Sequence, residues 1–164
     1  MKYSELAEKK ELIKKYLINN FNLIFSIDEP VFLLGGAIKD IIYNNIVKDL
    51  DFVVLSDNTD SIEKLINDNN LQYTKNSFDG YKIKYNNLYI DIWSAQDLYD
   101  CIQYNFDGLF YDIKNDSILS FGYINSINDK LIELNNKRNH PSSARKLERL
   151  EKITNYILKI IKKG

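Results

Sequence analysis

Residues 33–40 are Leu-Leu-Gly-Gly-Ala-Ile-Lys-Asp, and residues 48–54 are Lys-Asp-Leu-Asp-Phe-Val-Val. The apolar run before the two glycines predicts a buried strand, and the residues after them predict a helix. A helix that begins directly after a strand presents unpaired N–H groups and a partial positive charge, which together suit an anion. The first segment therefore predicts a strand–glycine–helix unit that brings bare backbone close to a ligand.

The second segment adds a pair of carboxylates. Asp49 and Asp51 are two residues apart, and residues with that spacing in a strand lie on the same face of a sheet. Their charges repel each other, and a divalent cation relieves the repulsion. Mg²⁺ commonly binds through one or two carboxylates together with substrate phosphates, so the two segments together favour phosphoryl or nucleotidyl transfer. Taken singly, a Gly-Gly pair is more often an ordinary turn, and an Asp-x-Asp pair a solvated strand end.

In order and spacing, the two segments resemble one protein family. Residues 35–40 followed by Asp49-Leu50-Asp51 resemble the head domain of bacterial poly(A) polymerases and tRNA CCA-adding enzymes, in the DNA polymerase β-like nucleotidyltransferase superfamily. Lys39 stands where the family usually has arginine. A looser resemblance covers residues 103–112, and the likeness as a whole extends over roughly residues 30–135.

The resemblance implies a nucleotidyltransferase-like fold with two Mg²⁺ ions held by carboxylates. It also implies a third carboxylate on an adjoining strand. Asp91 is the candidate because it interrupts an apolar strand, where a charged side chain is costly unless it is paired or bound to a metal. The alternative for Asp91 is an edge-strand carboxylate that faces water. The expected catalytic and metal-binding residues are Asp49, Asp51 and Asp91, and the expected nucleotide-binding residues are Gly35, Gly36, Lys39, Arg145 and Arg149.

Hydrophobic periodicity outlines the remaining structure. Helices are predicted over residues 4–25, 37–45, 59–69, 95–103 and 141–161, and strands over residues 31–34, 50–55, 109–113 and 117–119. Residues 81–85 and 88–93 alternate between apolar and polar around Asn86-Asn87, which indicates a β-hairpin. The mixture predicts an α+β fold, a mixed β-sheet flanked by helices, with N-terminal and C-terminal helices.

Composition restricts the chemistry. The chain has 164 residues with one cysteine and one histidine, which excludes an internal disulfide, a His-pair metal site and most catalytic triads. The length corresponds to one domain. No apolar run approaches the roughly 18 residues needed to cross a bilayer, and the charged N-terminus lacks a secretory pattern. We therefore expect a cytoplasmic protein without a membrane partner.

Charge divides the chain into two parts. Residues 137–164 carry nine basic and two acidic side chains, a net charge of +7, whereas 13 basic and 21 acidic side chains give the rest −8. This division predicts a head domain over residues 1–136 and a basic C-terminal helix over residues 137–164 that packs on it. Arg145 and Arg149 are expected near the mouth of the cleft formed by Gly35-Gly36 and the Asp49–Asp51 pair, where they would bind phosphates of a nucleotide or an RNA. The alternative is a solvated helix face.

The chain departs from the family pattern at several positions, and its sequence does not identify the molecule that would accept the nucleotide. Cys101 and Ile102 stand where the family has arginine, and Asp107 replaces an asparagine. Further helical domains of CCA-adding enzymes do not follow, so we do not expect CCA addition by this chain alone. We expect a metal-dependent nucleotidyltransferase that acts on an NTP and on a hydroxyl acceptor, which is a tRNA-like RNA, a protein or a small molecule. Its small size fits a stand-alone enzyme with a toxin–antitoxin or defence-system partner. The alternative is a catalytically degenerate head domain that binds nucleotide or RNA.

Overall fold

A mixed β-sheet forms the centre of the structure, a computed structural model that describes residues 1–76, 79–135 and 143–163. Its strands are β1 Val31–Leu34, β2 Asp49–Leu55, β3 Tyr73–Lys75, β4 Tyr81–Tyr85, β5 Leu88–Ala95, β6 Leu109–Asp112 and β7 Ser117–Ser120. Within these ranges the strands lie in the order β3-β4-β5-β2-β1-β6-β7. Neighbouring strands are antiparallel except for β2 and β5, which run parallel. The predicted α+β fold with a mixed sheet is confirmed.

Helices flank the sheet. They are α1 Tyr3–Ala7, α2 Lys10–Asn20, α3 Gly35–Ile42, α4 Asp60–Asp68, α5 Tyr123–Asp129 and α6 Ser143–Lys163, with 3-10 helices at Asn22–Ser26, Leu98–Cys101 and Asn105–Asp107. Across the described ranges, none of the helices combines the length and apolar character needed to cross a bilayer. The boundary predicted between residues 136 and 137 lies outside the described residues.

The prediction of one continuous N-terminal helix over residues 4–25 is wrong, because this segment is divided into α1, α2 and a 3-10 helix. Between α1 and α2 the hydrogen bonds shift to i→i−3 pairs at Lys9 and Leu12, although Glu8 and Lys9 keep right-handed helical dihedral angles. The backbone leaves helical geometry at Phe21, where φ is −149° and ψ is 62°. Leu6, Ile13 and Leu17 are nonetheless buried in the core. Periodicity therefore identified the buried positions, but it did not indicate where the helix is interrupted.

Other element bounds also differ from the prediction. The helix predicted from residue 37 begins at Gly35, so both glycines belong to its first turn. Residues 95–103 contain the end of β5 and a 3-10 helix instead of an α-helix. The β-hairpin is confirmed, since β4 and β5 pair around Asn86-Asn87. The short edge strand β3 and helix α5 were not predicted.

The two faces of the sheet are covered differently. The main core lies on the face that carries the α-helices and contains Ile13, Ile38, Ile62, Tyr123 and Ile153. A smaller cluster on the opposite face contains Phe32, Val53, Leu98, Ile102 and Phe110. Asp51 and Asp91 alternate along their strands with buried residues of the main core, so they lie on the face of the smaller cluster.

Candidate active site

The parallel pairing of β2 with β5 places carboxylates side by side. Asp51 and Asp91 are register partners, and Asp49 lies two residues before Asp51 on the same face. Asp51 and Asp91 are half-buried, whereas Asp49 is exposed. Strand β5 has neighbours on both sides, so Asp91 does not lie on an edge strand.

Burial and mutual repulsion change the acidity of these groups. Burial raises the pKa of Asp51 to about 6, and the charges of Asp91 and Asp49 add to the effect. Burial also raises the pKa of Asp91, while the positive charge of Lys82 opposes the rise. A carboxylate whose pKa is raised by neighbouring carboxylates favours either a shared proton or a bound cation.

The carboxylates suit a hard cation by their chemistry, but they do not form a closed ligand cage. Among the described residues, no group of three or more His, Cys, Asp or Glu side chains is gathered closely enough to hold a metal ion. Mg²⁺ commonly takes only one or two carboxylates and completes its shell with water and substrate phosphates. Asp49, Asp51 and Asp91 therefore fit an ion that arrives with a triphosphate better than a permanently bound one.

A cavity of about 230 Å³ opens beside Asp51. It is lined by residues from β1, α3, β2, α6 and the segment before β6, namely Leu34, Gly35, Gly36, Lys39, Asp51, Cys101, Gln103, Asp107 and Arg149. Within the described part of the chain, Nε2 of Gln103 is buried without a hydrogen-bond partner. Gln103 thus combines a place in the cavity wall with an unpaired buried amide, which the sequence pattern did not single out.

The two glycines at the start of α3 have different neighbours. A Cβ atom on Gly35 would lie 3.0 Å from the carbonyl oxygen of Leu109, so the absence of a side chain lets α3 approach β6. A Cβ atom on Gly36 would have no neighbour within 4 Å. Gly35 therefore serves close packing, and Gly36 leaves the backbone open beside the cavity.

Lys39 lies at the wall of the cavity inside a group of aromatic rings, not on the surface of α3. It is 4% exposed, and its Nζ lies 3.7 Å from the ring centroid of Phe106, 5.3 Å from that of Tyr156 and 5.7 Å from that of Tyr123. Burial lowers the pKa of Lys39 to about 7, and the charge of Arg149 adds to the effect. The aromatic faces stabilise the charged form and act against that change.

Arg149 brings α6 to the cavity. Its Nε donates a hydrogen bond of 3.0 Å to Oδ1 of Asp107, and its Nη2 donates to the same oxygen. Oδ2 of Asp107 accepts a hydrogen bond of 3.0 Å from the backbone N of Tyr104. Asp107, which stands where the family pattern has asparagine, therefore gives Arg149 a charged partner. The side chain of Arg145 lies outside the described residues.

Solved structures match this fold, although no family model and no curated protein sequence matches the chain. A CCA-adding enzyme in its apo form has a TM-score of 0.60 and 18% identity over 82% of this chain. The Thermotoga maritima CCA-adding enzyme complexed with tRNA has a TM-score of 0.58 at the same identity and coverage. A tRNA nucleotidyltransferase complexed with a primer tRNA and an incoming ATP analogue matches 64% of this chain, with 18% identity and a TM-score of 0.53.

The match covers only part of those proteins. The chain spans 36% of the length of the two CCA-adding enzymes and 35% of the tRNA nucleotidyltransferase. At this identity the likeness concerns the fold, and it agrees with the resemblance of residues 35–40 and 49–51 to the same enzymes. This chain therefore has a nucleotidyltransferase-like fold, which it shares with the tRNA CCA-adding enzymes.

Proposed function

We propose that this protein is a metal-dependent nucleotidyltransferase of the cytoplasm, which moves a nucleoside monophosphate from an NTP to a hydroxyl acceptor and releases pyrophosphate. The observation that carries the proposal is the position of Asp51. It lies beside Asp91 across the parallel strands, and it lines the same cavity as Gly36. The shared fold with an enzyme solved with a primer tRNA and an ATP analogue supports the proposal.

In this proposal the carboxylates hold Mg²⁺. Two ions are expected on Asp49, Asp51 and Asp91, and when bound they neutralise the triphosphate and activate the acceptor hydroxyl. The half-buried position of Asp51 fixes its carboxylate at the edge of the cavity, so little rearrangement is needed on substrate binding. Asp91, the register partner of Asp51, is the proposed acceptor of the proton from the hydroxyl.

The cavity would hold the triphosphate. The backbone of Gly36 and the N-terminus of α3 offer N–H donors to phosphate oxygens, and Arg149, together with Lys39 in its protonated form, supplies positive charge in the cavity wall. These groups bind and orient the donor substrate, while the acceptor approaches the carboxylates from another direction.

The test is transfer of label from each α-³²P-labelled NTP in the presence of Mg²⁺ and cellular RNA or protein. We expect the wild type to label one acceptor fraction, and Asp51→Asn to reduce the rate by at least about 100-fold, since a residue that stabilises the reacting charges is lost. Asp129→Asn is the matched control, because Asp129 is exposed at the end of α5. Labelling by Asp51→Asn at the wild-type rate would contradict the proposal.

A second candidate function is a catalytically degenerate head domain that binds nucleotide or RNA. It is favoured by the pairing of Arg149 with Asp107, which satisfies a cation of the cavity internally, and by the open arrangement of the described carboxylates. Calorimetry with ATP and CTP, with and without Mg²⁺, separates the two candidates. Mg²⁺-dependent binding that is lost in Asp49→Ala supports the enzyme, whereas equal binding with and without Mg²⁺ supports the binding module.

A further inference from the structure

The carboxylate face continues into a basic and aromatic surface on the side away from the cavity. In the pairing of β4 with β5, Lys82 is the register partner of Asp91, and Lys84 is that of Tyr89. Lys82 and Lys84 are exposed, and Tyr89 is 45% exposed. All three alternate along their strands with buried residues, so they share the face of Asp91. We call Lys82, Lys84 and Tyr89 the Lys–Tyr strip.

The strip begins at the carboxylates themselves. Lys82, Asp91 and Asp51 are consecutive register partners across β4, β5 and β2. Nζ of Lys82 lies over the ring of Tyr89, 5.4 Å from its centroid, so the ammonium group is next to one face of the ring. Asp51 also lines the cavity beyond β2. The two register-paired carboxylates therefore lie between the cavity and the strip.

This arrangement matches a reaction with two substrates. If the triphosphate occupies the cavity, the acceptor hydroxyl must reach the same carboxylates from the other side, and the strip is the surface found there. Residues two apart on a strand are about 6.6 Å apart along its axis, so Lys82 and Lys84 present two successive positive charges. An exposed tyrosine beside them offers a face on which a base stacks.

The shape of the strip narrows the class of acceptor. Small molecules are bound in concave, mostly apolar sites, whereas these side chains project from the exposed face of a sheet. Positive charges that follow a line, interleaved with an aromatic ring, are the combination by which proteins bind single-stranded nucleic acid. The chemistry of the strip thus favours a single-stranded polyanion over a small molecule.

We propose that the Lys–Tyr strip binds the single-stranded end of an RNA acceptor, with its terminal hydroxyl directed towards Asp91 and Asp51. Phosphates of the RNA lie on Lys82 and Lys84, and a base near the end stacks on Tyr89. The role of the carboxylates rests on the proposed function, while binding to the strip does not. In the transfer, the hydroxyl oxygen bonds to the α-phosphorus, the α–β phosphoanhydride bond breaks, pyrophosphate takes the electron pair, and the hydroxyl proton passes to a carboxylate.

The experiment measures binding without chemistry. A fluorescein-labelled RNA of ten nucleotides is titrated with protein in EDTA and without NTP, and anisotropy is recorded at several KCl concentrations. We expect Tyr89→Ala to weaken binding at least about fivefold, since one stacked base is lost. Lys82→Ala with Lys84→Ala should lower the slope of log affinity against log salt by about 0.7 for each lysine.

The matched control is Lys9→Ala with Lys15→Ala, which removes the same charge from exposed positions on the helical side of the sheet. The control should bind RNA with the wild-type affinity and salt slope, and the melting temperature of every variant is measured to confirm folding. Equal affinity and slope in the strip and control variants would overturn the proposal. Undetectable binding of RNA by the wild type would do the same.

Failure of this proposal and failure of the proposed function give different results. RNA binding that depends on the strip, in a protein that transfers no label from any NTP, supports the strip and rejects the enzyme. Transfer to an acceptor at an unchanged KM in the Tyr89→Ala variant supports the enzyme and rejects the strip.

Discussion

The buried ammonium group of Lys39 makes stability depend on pH. Burial lowers the pKa of Lys39 from 10.5 to about 7 in the folded protein. Below pH 7 the group is charged in both the folded and the unfolded chain. As the pH rises above 7, the folded protein releases the proton while the unfolded chain keeps it, so the free energy of unfolding rises with pH. An arginine at this position could not release a proton in the same way.

We predict that this dependence disappears in Lys39→Met. Between pH 7 and pH 9 the free energy of unfolding of the wild type should rise by about 1–3 kcal/mol relative to that of the variant, as measured by urea denaturation. Lys9→Met is the control: it removes an exposed lysine and keeps Lys39, so its free energy of unfolding should rise with pH as that of the wild type does. A constant difference between wild type and Lys39→Met would mean that the rings of Phe106, Tyr123 and Tyr156 keep the ammonium group charged.

At the scale of the element, the first turn of α3 predicts opposite effects for two adjacent glycines. Gly35→Ala should lower the free energy of unfolding by about 1 kcal/mol or more, because the new methyl group would displace the backbone of Leu109. Gly36→Ala should be neutral or stabilise by up to about 1 kcal/mol, since alanine is the better helix former. Urea denaturation of both variants checks this prediction.

For NTP binding we expect Gly36→Ala to be the harmful substitution. A methyl group on Gly36 would stand in open space beside the cavity, so Gly36→Ala should weaken NTP binding in calorimetry while the fold is intact. Full NTP affinity in Gly36→Ala would show that the triphosphate does not approach this turn. The two variants therefore test whether Gly35 serves close packing and Gly36 serves the proposed binding, which the repeated residue type alone does not distinguish.

Local patterns predicted the elements that have a local cause. The β-hairpin was evident because side chains alternate on both sides of Asn86-Asn87, and the Asp49–Asp51 pair because residues two apart share a face. Asp91 was identified because it interrupts an apolar strand. The edge strand β3 was missed because its three residues are all exposed and carry no apolar period.

Other features arise only when distant elements meet. Phe106, Tyr123 and Tyr156 lie in a 3-10 helix, α5 and α6, so no spacing in the sequence indicated that they surround Lys39. No spacing in the sequence indicated the buried amide of Gln103 either. The positive charge of the C-terminal segment predicted that α6 would bind an anion. The pairing of Arg149 with Asp107 could not be predicted, because it arises only when α6 packs on the body.

At the scale of the whole molecule, α6 is attached to the body by an ion pair and by an apolar face. Arg149 binds Asp107, and Ile153, one turn further along, is 1% exposed in the main core. A double-mutant cycle with Asp107→Asn and Arg149→Met should give a coupling free energy of about 1 kcal/mol, a modest value because the Arg149 side chain is 37% exposed.

The same helix supplies the control for that cycle. Lys152 and Glu148 form an ion pair in which both side chains are more than 60% exposed, and their coupling should stay below about 0.5 kcal/mol. Equal coupling in the two pairs would mean that Asp107 does not hold α6 to the body. A larger value for Arg149 and Asp107 would make this pair the polar attachment of the helix to the cavity.

The parallel pairing of β2 with β5 sets the time at which the site is assembled. The chain between these strands passes through α4, β3 and β4, so Asp51 and Asp91 meet only after this long loop has closed. Contacts between residues distant in sequence form late, because the entropy of loop closure is lost before they contribute. During synthesis, Asp49 and Asp51 are added to the chain before Lys82 and Asp91. The hairpin of β4 and β5 then delivers the third carboxylate and its neighbouring lysine together.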